Sequence, residues 1–210
     1  MQVAEIALPC KVVPMNREDA ARNLEIIRTL MERSAIYRRA QAPLMLLAGG
    51  VGVAAAGGAW FWEGSQTGHG FVVYWGAIAC GVILGVLGLV RVQAIKAREP
   101  FWSPPCRRVV QAVVPGFLGG LAIALPAFRA SISPWTAASL WIVLHGCALH
   151  SAGFFTIRGI RLFGLCLVVL GSLALTLPSA WNANLLMGAA FGGAHLAYGL
   201  YLRGTEPRTV

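Results

Sequence analysis

Apolar residues in this chain come in long unbroken blocks, not in the alternation of a half-buried strand. The most informative block runs from Trp135 to Arg161. It passes through Trp141, Ile142, Val143 and Leu144 to Phe154 and Phe155, with no charged side chain before Arg158. About twenty residues at helical rise cross a hydrocarbon layer roughly 30 Å thick. Five comparable blocks accompany it, and the pattern predicts spanning helices over about 44–62, 71–90, 109–128, 135–155, 162–177 and 184–202. The expected fold class is an all-α polytopic membrane protein: six transmembrane helices in three outward-and-back hairpins, residues 42–202.

The first forty residues read differently. Residues 1–15 hold Pro9 and Pro14 and are expected to be irregular, while Asn16 followed by Asp19 resembles a capped helix start. From residue 17 to residue 41 the apolar stripe Ala20, Leu24, Ile27, Met31, Ser34 steps by four and three, which predicts an amphipathic helix. Arg33, Arg38 and Arg39 at its end suit both the helix dipole and an anionic membrane surface. Residues 1–41 are read as a cytosolic arm that lies on the membrane or caps the bundle. Leu24, Ile27 and Met31 form the candidate interface for a cytosolic or membrane protein partner. Pro43 is expected to open the first span, because a helix's first turn has no use for the donor proline lacks. Residues 203–210 form a polar cytosolic tail.

Composition agrees with the pattern. The 210 residues are 57% hydrophobic and 12% charged, with a mean hydropathy of +0.68; a soluble domain carries roughly 25% charged residues. The net charge of +9 raises the question of nucleic acid, but position answers it. With the amino end inside, sixteen of the seventeen basic residues fall on the inner segments and only Arg129 falls outside. That asymmetry fixes an orientation with both termini in the cytosol of a bacterial inner membrane. Seven of the eight acids are also inside, so the whole +9 is accounted for there and nucleic acid is set aside. Trp60, Trp62, Trp135 and Trp181 are expected at headgroup depth on the outer side. No short apolar core with a cleavage site begins the sequence, so no cleavable signal peptide is expected.

Chemistry inside the apolar blocks is sparse. No Asp, Glu, Lys or Arg lies well within a span, which disfavours an ion-coupled carrier. The five cysteines, Cys10, Cys80, Cys106, Cys147 and Cys166, form no CxxC pair and read as small hydrophobes, although Arg107 and Arg108 beside Cys106 would favour its thiolate. The embedded ionisable groups are His145, His150 and His195. His150 precedes Arg158 by eight residues and His195 precedes Arg203 by eight. The two imidazoles are therefore expected at one depth and within reach of each other, with His145 nearer the outside and turned away. Such a pair admits three readings: an uncharged interhelical hydrogen bond, a polar path with Ser151, Thr156, Asn184, Tyr198 and Tyr201, or bis-imidazole ligation of a haem or metal. Two ligands fall short of a structural zinc site, and no cofactor is expected.

Rows of small residues mark expected helix contacts: Ala48, Gly52 and Ala56; Gly81 and Gly85; Gly116 and Gly120; Gly188 and Gly192. Cys80 precedes Arg91 and Cys147 precedes Arg158 by the same eleven residues, which hints that the hairpins are repeats. No serine elbow, HExxH, phosphate-binding glycine loop or paired carboxylate occurs. The reading is a non-enzymatic accessory, structural or signalling membrane component. The alternatives are a small-solute permease or channel near His150 and His195, and a haem or metal protein using the same two histidines.

Overall fold

The computed structural model describes residues 17–98, 100–177 and 181–205; within them, the side chains of 17–21, 25–40 and 104–105 lie outside the description. The chain divides into two units, Met1–Ala35 and Ile36–Val210. In the first unit the described residues are helical from Arg17 onward, and Arg22, Asn23 and Leu24 are exposed. The irregular arm expected over residues 1–15, and its cap at Asn16, lie outside the described residues.

The fold is all-α. The helices are α1 (Arg17–Trp60), α2 (Gly68–Ala97), α3 (Pro104–Phe128), α4 (Pro134–Ala152) and α5 (Arg158–Thr176), followed by a last helical segment, α6 (Ala183–Gly204). A 3-10 turn, Glu63–Gln66, joins α1 to α2. Among the described residues, five helical segments are long and apolar enough to cross a bilayer: Gln41–Trp60, Gly68–Ala97, Cys106–Phe128, Arg158–Thr176 and Ala183–Gly204. This is the architecture of a polytopic membrane protein. Helix α4 has nineteen residues but is not among the five. Two histidines, three hydroxyl residues and the Pro134–Trp135 start dilute its hydropathy, and it is also densely buried: Trp135, Ala137, Ala138, Ser139, Ile142, Gly146, Ala148 and Ala152 face protein. A helix enclosed by other helices has no need of a lipid-soluble surface.

Pro43 does not open a new helix, contrary to expectation; it lies inside α1. A proline removes one backbone donor, and a membrane helix tolerates that loss where neighbouring groups or local adjustment satisfy the freed carbonyl. Helix α2 also runs further than expected, to Ala97, where Arg98 takes a left-handed conformation (φ 54°) and its N–H reaches back to the carbonyls of Ala94 and Ile95. Helix α4 stops at Ala152, short of the expected Phe155.

Within the second unit, sequential helices pack antiparallel. The Tyr74 hydroxyl donates to the Ala55 carbonyl at 2.5 Å. The start of α2 at Gly68 meets the end of α3 at Ala127; Gly116 and Gly120 of α3 meet Ala148 and Trp141 of α4. Between α4 and α5 the contacts are closest. A Cβ added at Gly146 would stand 2.7 Å from the Gly164 carbonyl oxygen, and one at Gly171 would stand 2.8 Å from that of Ser139. Ser139, Gly146 and Gly153 recur every seven residues, as do Gly164 and Gly171, so small residues stack along one antiparallel seam. The last segment returns to the first. Gly188 lies against Ala56, Gly192 against Gly52 and Val53, and Gly199 against Leu46, bringing backbone against backbone along the expected Gly52–Ala56 and Gly188–Gly192 rows.

The tryptophans divide. Trp60 is 72% exposed and Trp181 63%, as an indole at headgroup depth would be, but Trp135 is only 5% exposed. Its Nε1–H donates to the Ala174 carbonyl of α5 at 2.9 Å, and its ring meets Trp181 edge-on. Trp141 likewise donates to the Gly120 carbonyl of α3 at 2.8 Å.

Candidate functional site

Helices α2, α4 and α6 run in the same direction and meet through polar and aromatic side chains. The central contact joins α4 to α6: His145 Nε2 lies 3.1 Å from His195 Nε2. The expected partner of His195 was His150, so the pairing is corrected to His145. The reason is where the helices end. His150 and His195 are equally far from the following arginine, but α4 stops at Ala152 and a turn intervenes before Arg158. Helix α6 continues through Arg203 to Gly204. His150 is thus two residues from its helix end, while His145 is seven and His195 is nine. His150 instead sits at that end, where its Nδ1–H donates to the Arg161 carbonyl at 3.0 Å and its ring meets Phe154 edge-on.

The neighbours of the pair set its proton positions. His195 Nδ1 lies 2.9 Å from the Ala190 carbonyl oxygen, which can only accept, so Nδ1 carries the proton. In an uncharged imidazole Nε2 is then the acceptor, and His145 must donate from its own Nε2. The result is a directed chain, His145 Nε2–H to His195 Nε2, then His195 Nδ1–H to the Ala190 carbonyl.

A local departure in α6 makes that last bond available. Residues Gly188–Ala194 form a π-helical turn between two α-helical pieces, Ala183–Met187 and His195–Gly204. The His195 N–H bonds to Gly192, while its ring serves Ala190, five residues back. The sequence of the turn, GAAFGGA, is small at every position but Phe191, and Ala190 and Gly192 are buried. Single π turns inside α-helices are frequent at functional sites.

Aromatic rings enclose the pair. Phe191 lies 4.9 Å from the His145 ring, and Phe163 meets His195 edge-on at 4.9 Å. Phe117 approaches His145 from α3, and Tyr198 stacks on Phe163 at 4.7 Å. Tyr198 therefore borders the pair through Phe163, with its hydroxyl against Gly159 of α5.

A second polar cluster escaped the sequence reading. Asn184, buried near the start of α6, accepts from Trp75 Nε1 at 2.7 Å and donates from Nδ2 to the Ser65 hydroxyl at 3.0 Å. Ser65 is fully buried and donates in turn to the Ala59 carbonyl at 3.0 Å. One amide thus ties the end of α1, the 3-10 turn, α2 and α6 together. Trp75 lies inside an apolar run instead of at its end, which is the signal the sequence offers, and by type Asn184 reads only as a path-lining group.

Of the candidate interface residues, Leu24 is 67% exposed; the Ile27 and Met31 side chains lie outside the described residues. Cys80, Cys147 and Cys166 are free and exposed, and Cys106 is half-buried. Gln41 Oε1 is buried without a hydrogen-bond partner. Among the described residues no three or more His, Cys, Asp or Glu converge on a point that could hold a metal ion. Both ring nitrogens of His195 are engaged by protein groups, which is the arrangement of a structural imidazole. Comparison with known proteins finds no matching family model, no matching curated protein and no matching solved structure.

Proposed function

We propose that this chain is a six-span component of a bacterial inner membrane with both termini in the cytosol, acting as a non-enzymatic scaffold or signalling partner. One observation carries the scaffold reading. The buried polar side chains Ser65, Ser139, Asn184 and His195 all direct their hydrogen bonds to neighbouring protein groups. A solute path needs polar groups turned toward the passing molecule, whereas Ser65, Asn184 and His195 tie separate elements together and Ser139 is closed within α4 on the Trp135 carbonyl.

Helix α4 is counted as the sixth crossing because its nineteen residues cover about 28 Å between two antiparallel apolar neighbours. The parallel contacts of α2, α4 and α6, at Phe71–Trp141, Trp75–Asn184 and His145–His195, support three outward-and-back hairpins. The inward placement of the termini rests on the sixteen-to-one distribution of basic residues. The amphipathic 17–41 helix, with Leu24, Ile27 and Met31 on its apolar stripe, is the proposed partner-facing element, and the exposed Leu24 supports it.

Two measurements test this. Proteoliposomes holding the purified chain are expected to take up water, glycerol and urea no faster than empty vesicles. Faster uptake that His195→Leu abolishes would replace the scaffold reading with a permease. A photo-crosslinker placed at Leu24 in cells is expected to trap one discrete protein partner, and labelling of lipid alone would contradict the partner-facing assignment.

A further inference from the structure

The inner end of the α2–α3 hairpin combines features that the scaffold does not use. Between residues 91 and 108 the chain holds five cations, Arg91, Lys96, Arg98, Arg107 and Arg108, against a single acid, Glu99. All five side chains are exposed. They share that end with two large aromatics, Phe101 and Trp102, the latter 55% exposed. Ser103 caps α3 through its carbonyl, which accepts from the Arg107 N–H at 3.0 Å, and its hydroxyl makes no cap bond.

The position of this cluster distinguishes it from the other basic ends. Helices α2 and α3 present the barest flanks of the bundle: Leu84 and Leu121 are each 70% exposed, and Gly81 and Gly88 face open space. The cluster therefore tops a lipid-facing edge, where headgroups stand. At the α4–α5 end, by contrast, the Arg161 guanidinium lies over the Phe154 ring at 5.0 Å, and the Arg161 carbonyl is held by His150. That cation is already seated.

We propose that the α2–α3 inner end is a binding site for the headgroup of an anionic phospholipid, with Lys96, Arg107 and Arg108 meeting the phosphate and Trp102 and Phe101 anchoring at the acyl boundary. Charge complementarity selects the occupant: a cytoplasmic leaflet offers phosphate-bearing lipids, and each cation near such a surface contributes roughly 1 kcal/mol, a factor of about five. Indole and phenyl rings settle at that depth for the same reason tryptophan belts do. The proposal rests on the membrane-spanning reading but not on the scaffold role.

Native mass spectrometry of the full chain in detergent, with added phosphatidylglycerol or phosphatidylcholine, tests it. The wild type is expected to retain phosphatidylglycerol in preference to phosphatidylcholine. The triple variant Lys96→Gln, Arg107→Gln, Arg108→Gln is expected to lose that preference by about a hundredfold. A control lowering the charge elsewhere, Arg158→Gln with Arg203→Gln, is expected to keep it, and unchanged melting of both variants shows that folding is intact. Equal retention of the two lipids, equal loss in the control, or displacement of the lipid by millimolar inorganic phosphate would each overturn the site. None of these results would move the chain out of the membrane, so the two readings fail separately.

Discussion

Deleting one imidazole of the His145–His195 pair leaves the other without its partner in an apolar surround. Interhelical hydrogen bonds in membranes average about 0.6 kcal/mol by double-mutant cycles, with a maximum of about 1.7. A cycle of His145→Leu and His195→Leu, read by unfolding of the chain in detergent, is expected to give a coupling in that range. His150→Leu combined with His195→Leu is expected to be additive, because His150 bonds to Arg161 instead. At the Trp75–Asn184–Ser65 cluster, Asn184→Leu strands the Trp75 N–H, which is expected to cost about 1–3 kcal/mol. Adding Trp75→Phe removes the stranded donor, so the double variant is expected to be more stable than the sum of the two losses. Simple additivity would show that the Trp75–Asn184 bond does not hold in the folded chain.

Among the elements, the α4–α5 seam depends most on side-chain size. Gly164 lies against Gly146 and the backbone of His150, and Gly171 lies against Ser139 and Val143. Gly171→Leu is expected to force the helices apart and destabilise the chain by about 3 kcal/mol, measured by thermal unfolding. Gly81→Ala on the open flank of α2 meets nothing within 4 Å and is expected to be neutral or to gain up to about 1 kcal/mol from helix propensity. If both substitutions cost the same, the seam assignment is wrong. The sequence carried much of this level. Uninterrupted apolar runs located the helices, because a bilayer requires them long and uncharged, and the Gly52–Ala56 and Gly188–Gly192 rows do meet. It did not carry the histidine partner. Counting from Arg158 assumed a helix through Phe155, but Gly153 and the following turn end α4 at Ala152, and nothing in composition marks a π turn at Gly188–Ala194. The burial of Trp135 was not legible for a related reason: an indole next to a helix start can face outward or reach a carbonyl on the next helix, and only the packing against Ala174 decides.

For the molecule as a whole, the account depends on the chain crossing a membrane with its basic ends on one side. Helix contacts supply the internal consistency: α2, α4 and α6 meet one another in parallel, and each odd helix meets its sequence neighbours antiparallel. If α4 did not cross, α5 and α6 would be inverted relative to α2, and the parallel contacts at Trp75–Asn184 and His145–His195 could not form. The direct measurement is cysteine labelling on a background with the five native cysteines replaced, using Gln66→Cys, Ser131→Cys and Thr205→Cys one at a time; all three positions are exposed. A membrane-impermeant maleimide applied to spheroplasts is expected to label residues 66 and 131 in intact spheroplasts and residue 205 only after lysis. Labelling of residue 205 from outside, or protection of residue 131 until lysis, would contradict the six-crossing map.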